Sequence, residues 1–171
     1  TNNLILELQK FFNENNIKNI LDAPCGDCAW IKKIFESDVQ YTGIDIVEDL
    51  MNENRFTFQS YSNVKFHCRD LTEFNDFNNY DFILMRDFFI HLPFSLIKKI
   101  LKNLRNSNCK YFAFNSYEKT FLNKEIATGQ HRKINLLKEP FNLDAPFQKI
   151  QEINNKNMPD EDNFIYIYQN N

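Results

Sequence analysis

The order in which strand-like and helix-like segments alternate along the 171 residues most constrains the fold. Runs rich in β-branched and aromatic residues are separated by segments whose apolar residues recur at helical spacing. Alternation through the first five runs favours a parallel sheet with helices on both faces, whereas the last two runs are expected to pair antiparallel. The sequence therefore predicts an α/β fold, a three-layer αβα sandwich around a mostly parallel seven-stranded sheet with an antiparallel C-terminal edge. The strand-like runs are residues 17–23, 39–47, 63–70, 80–87, 110–117, 147–153 and 163–169.

Amphipathic patterns predict the helices. The first spans residues 3–14, and another begins near Glu48 and Asp49, where a helix N-terminus favours negative charge. A helix is also expected directly after the first strand, and Pro93 opens one after the fourth. The apolar faces of these two are Trp30, Ile31, Ile34 and Phe35, and Leu96, Ile97, Ile100, Leu101 and Leu104. Residues 118–146 lack periodicity and are predicted to form a long active-site connection within a single domain of residues 1–171.

Charge and hydropathy exclude several classes of protein. The formal net charge is −3, so no overall positive field draws the chain to nucleic acid or to an anionic membrane. No segment approaches the ~20 continuous apolar residues of a membrane span. The first residues lack the basic start and the cleavage site of a signal peptide, and four cysteines without disulfide-scaffold spacing fit reduced thiols. A cytoplasmic location is the resulting expectation.

The stretch LDAPCGDCAW, residues 21–30, lies between the first strand and a helical pattern and allows three interpretations. Cys25 and Cys28 have the spacing of a redox-active dithiol, but thioredoxin-like domains are shorter and lack five consecutive strand–helix units. A structural zinc ion needs four ligands, and a second close pair is missing because Cys68 and Cys109 stand alone. No metal site is therefore predicted.

The third interpretation is a loop that wraps a nucleotide-like cofactor. In open α/β sheets, ligands bind at the carboxyl ends of the central strands, where small residues let the backbone approach them. Asp45 ends the second strand about twenty residues further on, which is the place of an acid that binds ribose hydroxyls. The dinucleotide fingerprint G-x-G-x-x-G is absent, and an acid, Asp22, begins the loop.

In these features the sequence resembles the class I S-adenosylmethionine-dependent methyltransferases. The first motif of that family is an acid followed by alternating small residues, and this chain has Asp22, Pro24, Gly26 and Cys28 at those positions. The resemblance covers nearly the whole chain. It implies a Rossmann-like fold, S-adenosylmethionine as the methyl donor and S-adenosylhomocysteine as the product.

The later motifs follow in the order of the family. Asp45 matches the acid that binds ribose, Asp70 matches the acid near the adenine amino group, and residues 80–87 match the strand whose end faces the methyl donor. The resemblance therefore implies cofactor contacts at the ends of four strands. The implied cofactor-binding residues are Asp22, Ala23, Pro24, Gly26, Asp27, Trp30, Asp45, Ile46, Asp70, Leu71 and Arg86.

Polar residues after the fourth strand and in the long connection are the candidates for catalysis and acceptor binding. In RDFFIHL, His91 is the candidate general base, and Asp87, four residues earlier, would orient it if the segment is helical. If the acceptor oxygen is already anionic, no base is required and His91 would only orient the acceptor. The predicted acceptor-binding residues are Tyr117, Gln130, His131 and Arg132, and the guanidinium among them suits an anionic acceptor.

Three segments resemble a narrower group within the family. DAPCGD, RDFFIHL and TGQHRKINLLKEPFNLDAPF look like short bacterial methyltransferases linked to surface-polysaccharide modification, some of them to the O-methyl phosphoramidate decoration of capsules. This resemblance implies methyl transfer to oxygen on a small or saccharide-linked acceptor, anionic in the phosphoramidate case, and allows a partner methyltransferase. Two alternatives stay open: a non-catalytic cofactor-binding subunit of the same fold, and a thioredoxin-like oxidoreductase.

Overall fold

The computed structural model describes residues 2–152 and 161–170. All seven predicted strands are present, the first six at narrower bounds and the seventh at the predicted bounds, and residue 153 of the sixth predicted run lies outside the described residues. The strands are β1 (Asn19–Asp22), β2 (Gln40–Asp45), β3 (Val64–Cys68), β4 (Phe82–Met85), β5 (Tyr111–Tyr117), β6 (Gln148–Gln151) and β7 (Asn163–Gln169). The α-helices are α1 (Asn2–Glu14), α2 (Glu48–Thr57) and α3 (Phe94–Arg105), and short 3-10 helices cover Lys32–Glu36 and Phe89–His91.

The seven strands form one sheet in the order β3-β2-β1-β4-β5-β7-β6. β1 pairs in parallel with both β2 and β4, and β7 runs antiparallel to β5 and β6. The chain therefore leaves β1 toward β3 and returns to β4 on the other side of β1. In open α/β sheets, a change of direction of this kind places the ligand-binding crevice at the carboxyl ends of the two strands, here β1 and β4. The predicted fold class is confirmed.

Apolar side chains on both faces of the sheet explain why helices cover both faces. On one face, Phe11 and Phe12 of α1 pack on Phe82, with ring centroids 5.7 and 5.0 Å away. β4 and β5 are buried along their whole length, as expected for strands that are covered on both faces. On the other face, the buried residues of α3 are Ile97, Ile100, Leu101 and Leu104.

Two connections depart from the regular alternation that the sequence predicts. After β1 the chain makes turns as far as Ile31, and only the short 3-10 helix follows. The φ of +56° at Cys28 is incompatible with an α-helix, so no α-helix can include this residue. Between β3 and β4, residues 69–81 also contain no helix, and the buried ring of Phe77 covers the sheet there. The expectation of a helix directly after the first strand is therefore met only by a short 3-10 helix, whereas the polar connection after the third strand is predicted without one.

Residues 118–147, between β5 and β6, contain neither helix nor strand, as the lack of periodicity predicts. Backbone hydrogen bonds tie this connection to the turn after β4. The amide of Gly129 donates to the carbonyl of His91, and the amide of Arg132 donates to the carbonyl of Ile90, both at 3.0 Å. The connection therefore runs beside the carboxyl end of β4. In the parts of the chain that the structure describes, no helix has the length and apolar character needed to cross a membrane.

Candidate active site

The loop after β1 is held against the end of β2 and against α2. The amide of Cys25 donates to the carbonyl of Ile44 at 2.9 Å, and Asn54 of α2 donates through Nδ2 to the carbonyl of Gly26 at 2.8 Å. Gly26 has a φ of +57°, which glycine adopts without strain, and the space beside its Cα is open. The backbone of this loop can therefore be approached closely by a ligand in the crevice.

Asp45 joins this loop to the loop after β2. Its Oδ2 accepts a hydrogen bond from the Gly26 amide and its Oδ1 accepts one from the Val47 amide, both at 3.2 Å. An ionised carboxylate accepts at about four lone-pair sites, so acceptor capacity remains for a ligand. Ile46 and Val47 follow directly and are 63% and 49% exposed, which places an apolar surface beside the carboxylate. This combination suits a ribose and the base attached to it.

Asp22 ends β1 and is almost completely buried, with 1% of its surface exposed. Tyr41 donates its hydroxyl hydrogen to Oδ2 at 2.6 Å, whereas Oδ1 has no hydrogen-bond partner among the described residues. Burial raises the pKa of this carboxyl to about 7, although the Tyr41 hydrogen bond and the charge of Arg86 act in the opposite direction. Because a buried oxygen without a partner is costly, Oδ1 marks a place where a ligand is expected to donate.

Cys25 and Cys28 lack the properties of a redox dithiol. Both are free thiols, with 3% and 0% of their surface exposed. The hydrogen bond with Cys28 and burial raise the pKa of Cys25 far above its usual value, so the reactive thiolate is not populated at neutral pH. The Sγ atom of Cys28 packs under the loop, 3.5 Å from the Tyr41 hydroxyl oxygen. Its φ of +56° is a conformation that favours glycine, which agrees with its place at a glycine position of the first motif.

A buried polar cluster at the ends of β4, β5 and β7 was missed by sequence reasoning, apart from Arg86. Arg86 donates through Nε to Glu152 Oε1 at 2.7 Å and through Nη2 to the same oxygen. Asn115 and Asn163 donate through Nδ2 to Glu152 Oε2 at 2.7 and 3.0 Å. We call these four residues the Glu152 cluster. The signal available in the sequence was Asn115, a polar residue that directly follows the apolar run YFAF in a buried strand.

Arg86 connects the Glu152 cluster to the loop after β1. Its guanidinium carbon lies 4.8 Å from the centre of the Trp30 ring, and Nη1 lies 3.4 Å from Oδ2 of Asp87. Burial alone would lower the pKa of the guanidinium, but the charges of Glu152 and Asp87 outweigh it and the pKa is raised. Arg86 therefore stays charged at the strand end where the sequence predicts a cofactor contact.

His91 and Asp87 do not form the helical pair that the sequence suggests. Asp87 has a φ of +55° and precedes the 3-10 helix, so the two side chains do not share a helical face. The Nδ1 atom of His91 lies 3.0 Å from the carbonyl oxygen of Gln130. Because a carbonyl oxygen only accepts, Nδ1 carries the proton of the neutral ring and Nε2 is left as the basic nitrogen. Gln130, and not Asp87, therefore orients the ring.

Arg132 directs its guanidinium into the protein. Its Nε, Nη1 and Nη2 donate to the carbonyls of Lys124, Phe89 and Leu92 at 3.1, 2.6 and 2.8 Å, and the residue is 8% exposed. Burial lowers the pKa of this guanidinium. The contact predicted between Arg132 and the acceptor is thus replaced by a structural one. The guanidinium nitrogens that would bind an anion instead hold the long connection to the turn after β4.

The other predicted acceptor contacts lie near His91 or at the end of β5. Gln130 and His131 are exposed, and the ring centre of His131 is 5.5 Å from that of His91. Tyr117 is buried, with the ammonium nitrogen of Lys133 5.2 Å from its ring centre. The structure therefore brings His91 together with residues 130 and 131 of the connection.

Asp27 and Asp70 are exposed acids that shape turns. Oδ1 of Asp27 accepts from the Ala29 amide at 3.0 Å, and Oδ1 of Asp70 accepts from the amide and the hydroxyl of Thr72, both at 2.8 Å. Leu71, beside Asp70, is buried. Each turn uses one carboxylate oxygen, and no described residue donates to Oδ2 of either acid.

The crevice at the switch point, with an acid at the end of β1 and another at the end of β2, defines a cofactor-binding α/β protein. Residues 21–109 match a family model described as a methyltransferase domain. The match covers just over half of the chain and includes the loops after β1, β2, β3 and β4. The chain therefore belongs to the methyltransferase domain family, as a class I methyltransferase whose cofactor is S-adenosylmethionine. A search of curated proteins gave no significant match.

Solved methyltransferase structures share the fold at low sequence identity. The methyltransferase domain of bacterial CtHen1-CN matches with a TM-score of 0.71 and 10% identity, covering 98% of this chain and 97% of that one. The N-methyltransferase NodS from Bradyrhizobium japonicum matches with a TM-score of 0.64 and 12% identity, covering 95% and 91%. Magnesium protoporphyrin IX methyltransferase from Synechocystis PCC 6803, with bound SAM, matches with a TM-score of 0.56 and 18% identity. The match covers 71% of this chain and 59% of that one. Two further solved structures, PKMT2 from Rickettsia typhi and coclaurine N-methyltransferase, are much longer than this chain. The matches cover 21% and 35% of their lengths.

Proposed function

We propose that this chain transfers a methyl group from S-adenosylmethionine to an oxygen atom of a small or saccharide-linked acceptor, at the carboxyl ends of β1 to β4. The observation that carries the cofactor site is the pair of acids at the switch point. Asp22 has a buried oxygen with no hydrogen-bond partner in the part of the chain that the structure describes, and Asp45 keeps acceptor capacity beside exposed apolar side chains. The sulfonium group of the bound cofactor would supply the activated methyl group.

The residues around the crevice fit the parts of this cofactor. Asp45 would accept hydrogen bonds from the ribose hydroxyls, and Ile46 and Leu71 would flank the base. Asp22 would accept a hydrogen bond at the methionine end, and a cationic donor there would favour its ionised form. Asp70 would face the base amino group. The remaining proposed cofactor contacts are Ala23, Pro24, Gly26, Asp27, Trp30 and Arg86.

His91 is the residue on which the proposed methyl transfer to the acceptor depends. With Nδ1 held by a carbonyl, Nε2 can take the proton of a hydroxyl acceptor as the methyl group arrives. Asp87, Gln130 and His131 lie around the same turn and would position the acceptor, which supplies much of the rate of a displacement. An anionic acceptor, such as the phosphoramidate of a bacterial capsule, would meet the two histidines and not Arg132.

The cofactor site is tested by the variant Asp45→Asn. Loss of one carboxylate oxygen and of the charge should weaken S-adenosylhomocysteine binding at least about tenfold, or roughly 1.4 kcal/mol, in a calorimetric titration. Asp49→Asn is the matched control because Asp49 is an exposed acid in the first turn of α2. Equal affinity of the wild type and Asp45→Asn would remove Asp45 from the site.

The acceptor is tested by a screen with labelled methyl donor against hydroxyl, phosphate, phosphoramidate and amine compounds. Turnover of oxygen acceptors is the expected result. Turnover confined to amines would replace the oxygen acceptor with nitrogen, which is the acceptor atom in the structural relative NodS. Cofactor binding without turnover of any acceptor would favour the non-catalytic subunit.

A further inference from the structure

Glu152 directly follows β6, outside the region that matches the family. It is 5% exposed, and its two oxygens accept four hydrogen bonds. Two come from Arg86 to Oε1, and one each from Asn115 and Asn163 to Oε2. A buried carboxylate is tolerated only when it is paired and fully hydrogen-bonded, and this one is both.

The pairing determines where the Arg86 guanidinium lies. Two nitrogens of one planar group donate to the same carboxylate oxygen, which restricts the plane of the guanidinium. Its carbon lies 4.8 Å from the centre of the Trp30 ring, and Trp30 belongs to the loop after β1. Glu152 is therefore connected to the loop after β1 through the Arg86 guanidinium and the Trp30 ring.

A second branch of the cluster reaches the other side of the crevice. Asn115 donates to Glu152 through Nδ2 and accepts through Oδ1 from the amide of Asp87 at 2.6 Å. Asp87 has a φ of +55°, a conformation that costs free energy for a residue with a side chain and persists only where its surroundings hold it. One buried carboxylate thus supports the loop after β1 and the turn after β4 together.

We propose that Glu152 is a positioning residue of the cofactor site. It holds the Arg86 guanidinium against Trp30 and thereby sets the conformation of the loop after β1. The role rests on the proposed function, because the loop matters through the cofactor that it binds. This role assigns part of the active site to a residue at the end of β6, outside residues 21–109 that match the family.

The test uses Glu152→Gln, which keeps the shape of the side chain and removes its charge. Trp30 is the single tryptophan of the chain, so its fluorescence reports on this loop alone. We expect a shifted emission maximum and greater quenching by acrylamide in the free protein, and S-adenosylhomocysteine affinity about tenfold weaker. Glu161→Gln is the matched control, because Glu161 is an ion-paired glutamate that precedes β7 and binds Lys119 at the surface. It should behave as wild type.

A double variant with Arg86 distinguishes a positioning role of Glu152 from a general effect on stability. If Glu152 acts through Arg86, the variant Arg86→Met should already show the weaker affinity, and adding Glu152→Gln to it should weaken binding no further. Additive losses, or wild-type fluorescence and affinity in Glu152→Gln, would overturn the proposal. If Glu152→Gln does not fold, Arg86→Lys keeps the charge but loses the planar fork, and it should show the same change in Trp30 emission. Unchanged emission there would equally overturn it.

The two proposals fail in different ways. If the wild type does not bind S-adenosylhomocysteine, the proposed cofactor site is wrong. The Trp30 fluorescence comparison needs no ligand, so it still decides whether Glu152 sets the loop. If the wild type binds and Glu152→Gln binds equally well with an altered loop, the cofactor site stands and the positioning role is refuted.

Discussion

At the scale of single residues, Asp22 combines a folding cost with a binding role. A carboxyl at the end of β1 lies where the cofactor is proposed to bind, but burial penalises its charged form. The Tyr41 hydroxyl and the Arg86 charge offset only part of this penalty, and the pKa remains raised to about 7. The residue type and its place after a strand could be read from the sequence. Its protonation could not, because it depends on Tyr41 of β2 and on Arg86, which directly follows β4.

The raised pKa of Asp22 predicts how stability depends on pH. Between the usual value of 3.8 and about 7, the folded state holds a proton that the unfolded state has released, so this carboxyl's contribution to stability falls as the pH rises through that window. Asp22→Asn removes the titration while keeping an acceptor for Tyr41. Urea unfolding at pH 5 and pH 8 should show the wild type losing stability relative to this variant.

Asp27→Asn is the control for that comparison, because Asp27 is exposed and asparagine keeps the hydrogen bond from the Ala29 amide. It should show no comparable pH-dependent difference from the wild type. A constant difference between the wild type and Asp22→Asn at both pH values would show that Asp22 is ionised throughout the range.

His91 supplies a second prediction at this scale. With a hydroxyl acceptor, His91→Ala should lower kcat about 100-fold or more, since general base catalysis contributes that much, and leave S-adenosylhomocysteine affinity unchanged. His67→Ala, at an exposed position of β3, is the control. Wild-type kcat in His91→Ala, measured with the labelled methyl donor, would leave His91 with only a structural role.

At the scale of elements, the connection of residues 118–147 shows how an irregular segment is held in place without regular structure. Buried hydrogen bonds replace the ladder of a strand or helix. Asn123 donates through Nδ2 to the carbonyls of Asn135 and Glu139 at 2.8 and 2.7 Å, and Arg132 donates to three other carbonyls. The lack of periodicity predicted a long connection, but not which side chains would hold it, because these bonds join residues that no local pattern relates.

Arg132→Met tests this structural role. The variant removes the guanidinium that donates to the carbonyls of Lys124, Phe89 and Leu92, two of these hydrogen bonds being buried. The free energy of unfolding should therefore fall by about 2–3 kcal/mol, as measured by urea unfolding, with faster amide hydrogen exchange in the connection. Lys138→Met removes an exposed cation from the same connection and should change stability little. Unchanged stability of Arg132→Met together with a raised KM for the acceptor would restore the acceptor-binding role predicted from the sequence.

At the scale of the whole molecule, the strand order places the contributions of distant segments at one end of the sheet. The carboxyl ends of β1, β2 and β4 meet there because these strands are parallel, and the start of β7 meets them because β7 is antiparallel to β5. The family match ends at residue 109, whereas the long connection and Glu152 come later in the chain. The loops after β1 to β4 therefore lie within the family match, whereas the long connection and Glu152 lie outside it.

Local patterns in the sequence determined the strands, most of the helices and the positions of Asp22, Asp45 and Asp70 at strand ends, because hydrophobic periodicity and motif spacing involve residues close together in the chain. The tertiary structure decided the rest. The pKa of Asp22, the partner of His91 and the place of Glu152 beside Arg86 depend on residues 19 to 66 positions apart that only the folded sheet brings into contact. Hydrogen bonding and desolvation act over a few ångströms in space, and the order of residues along the chain does not specify which distant groups will come that close.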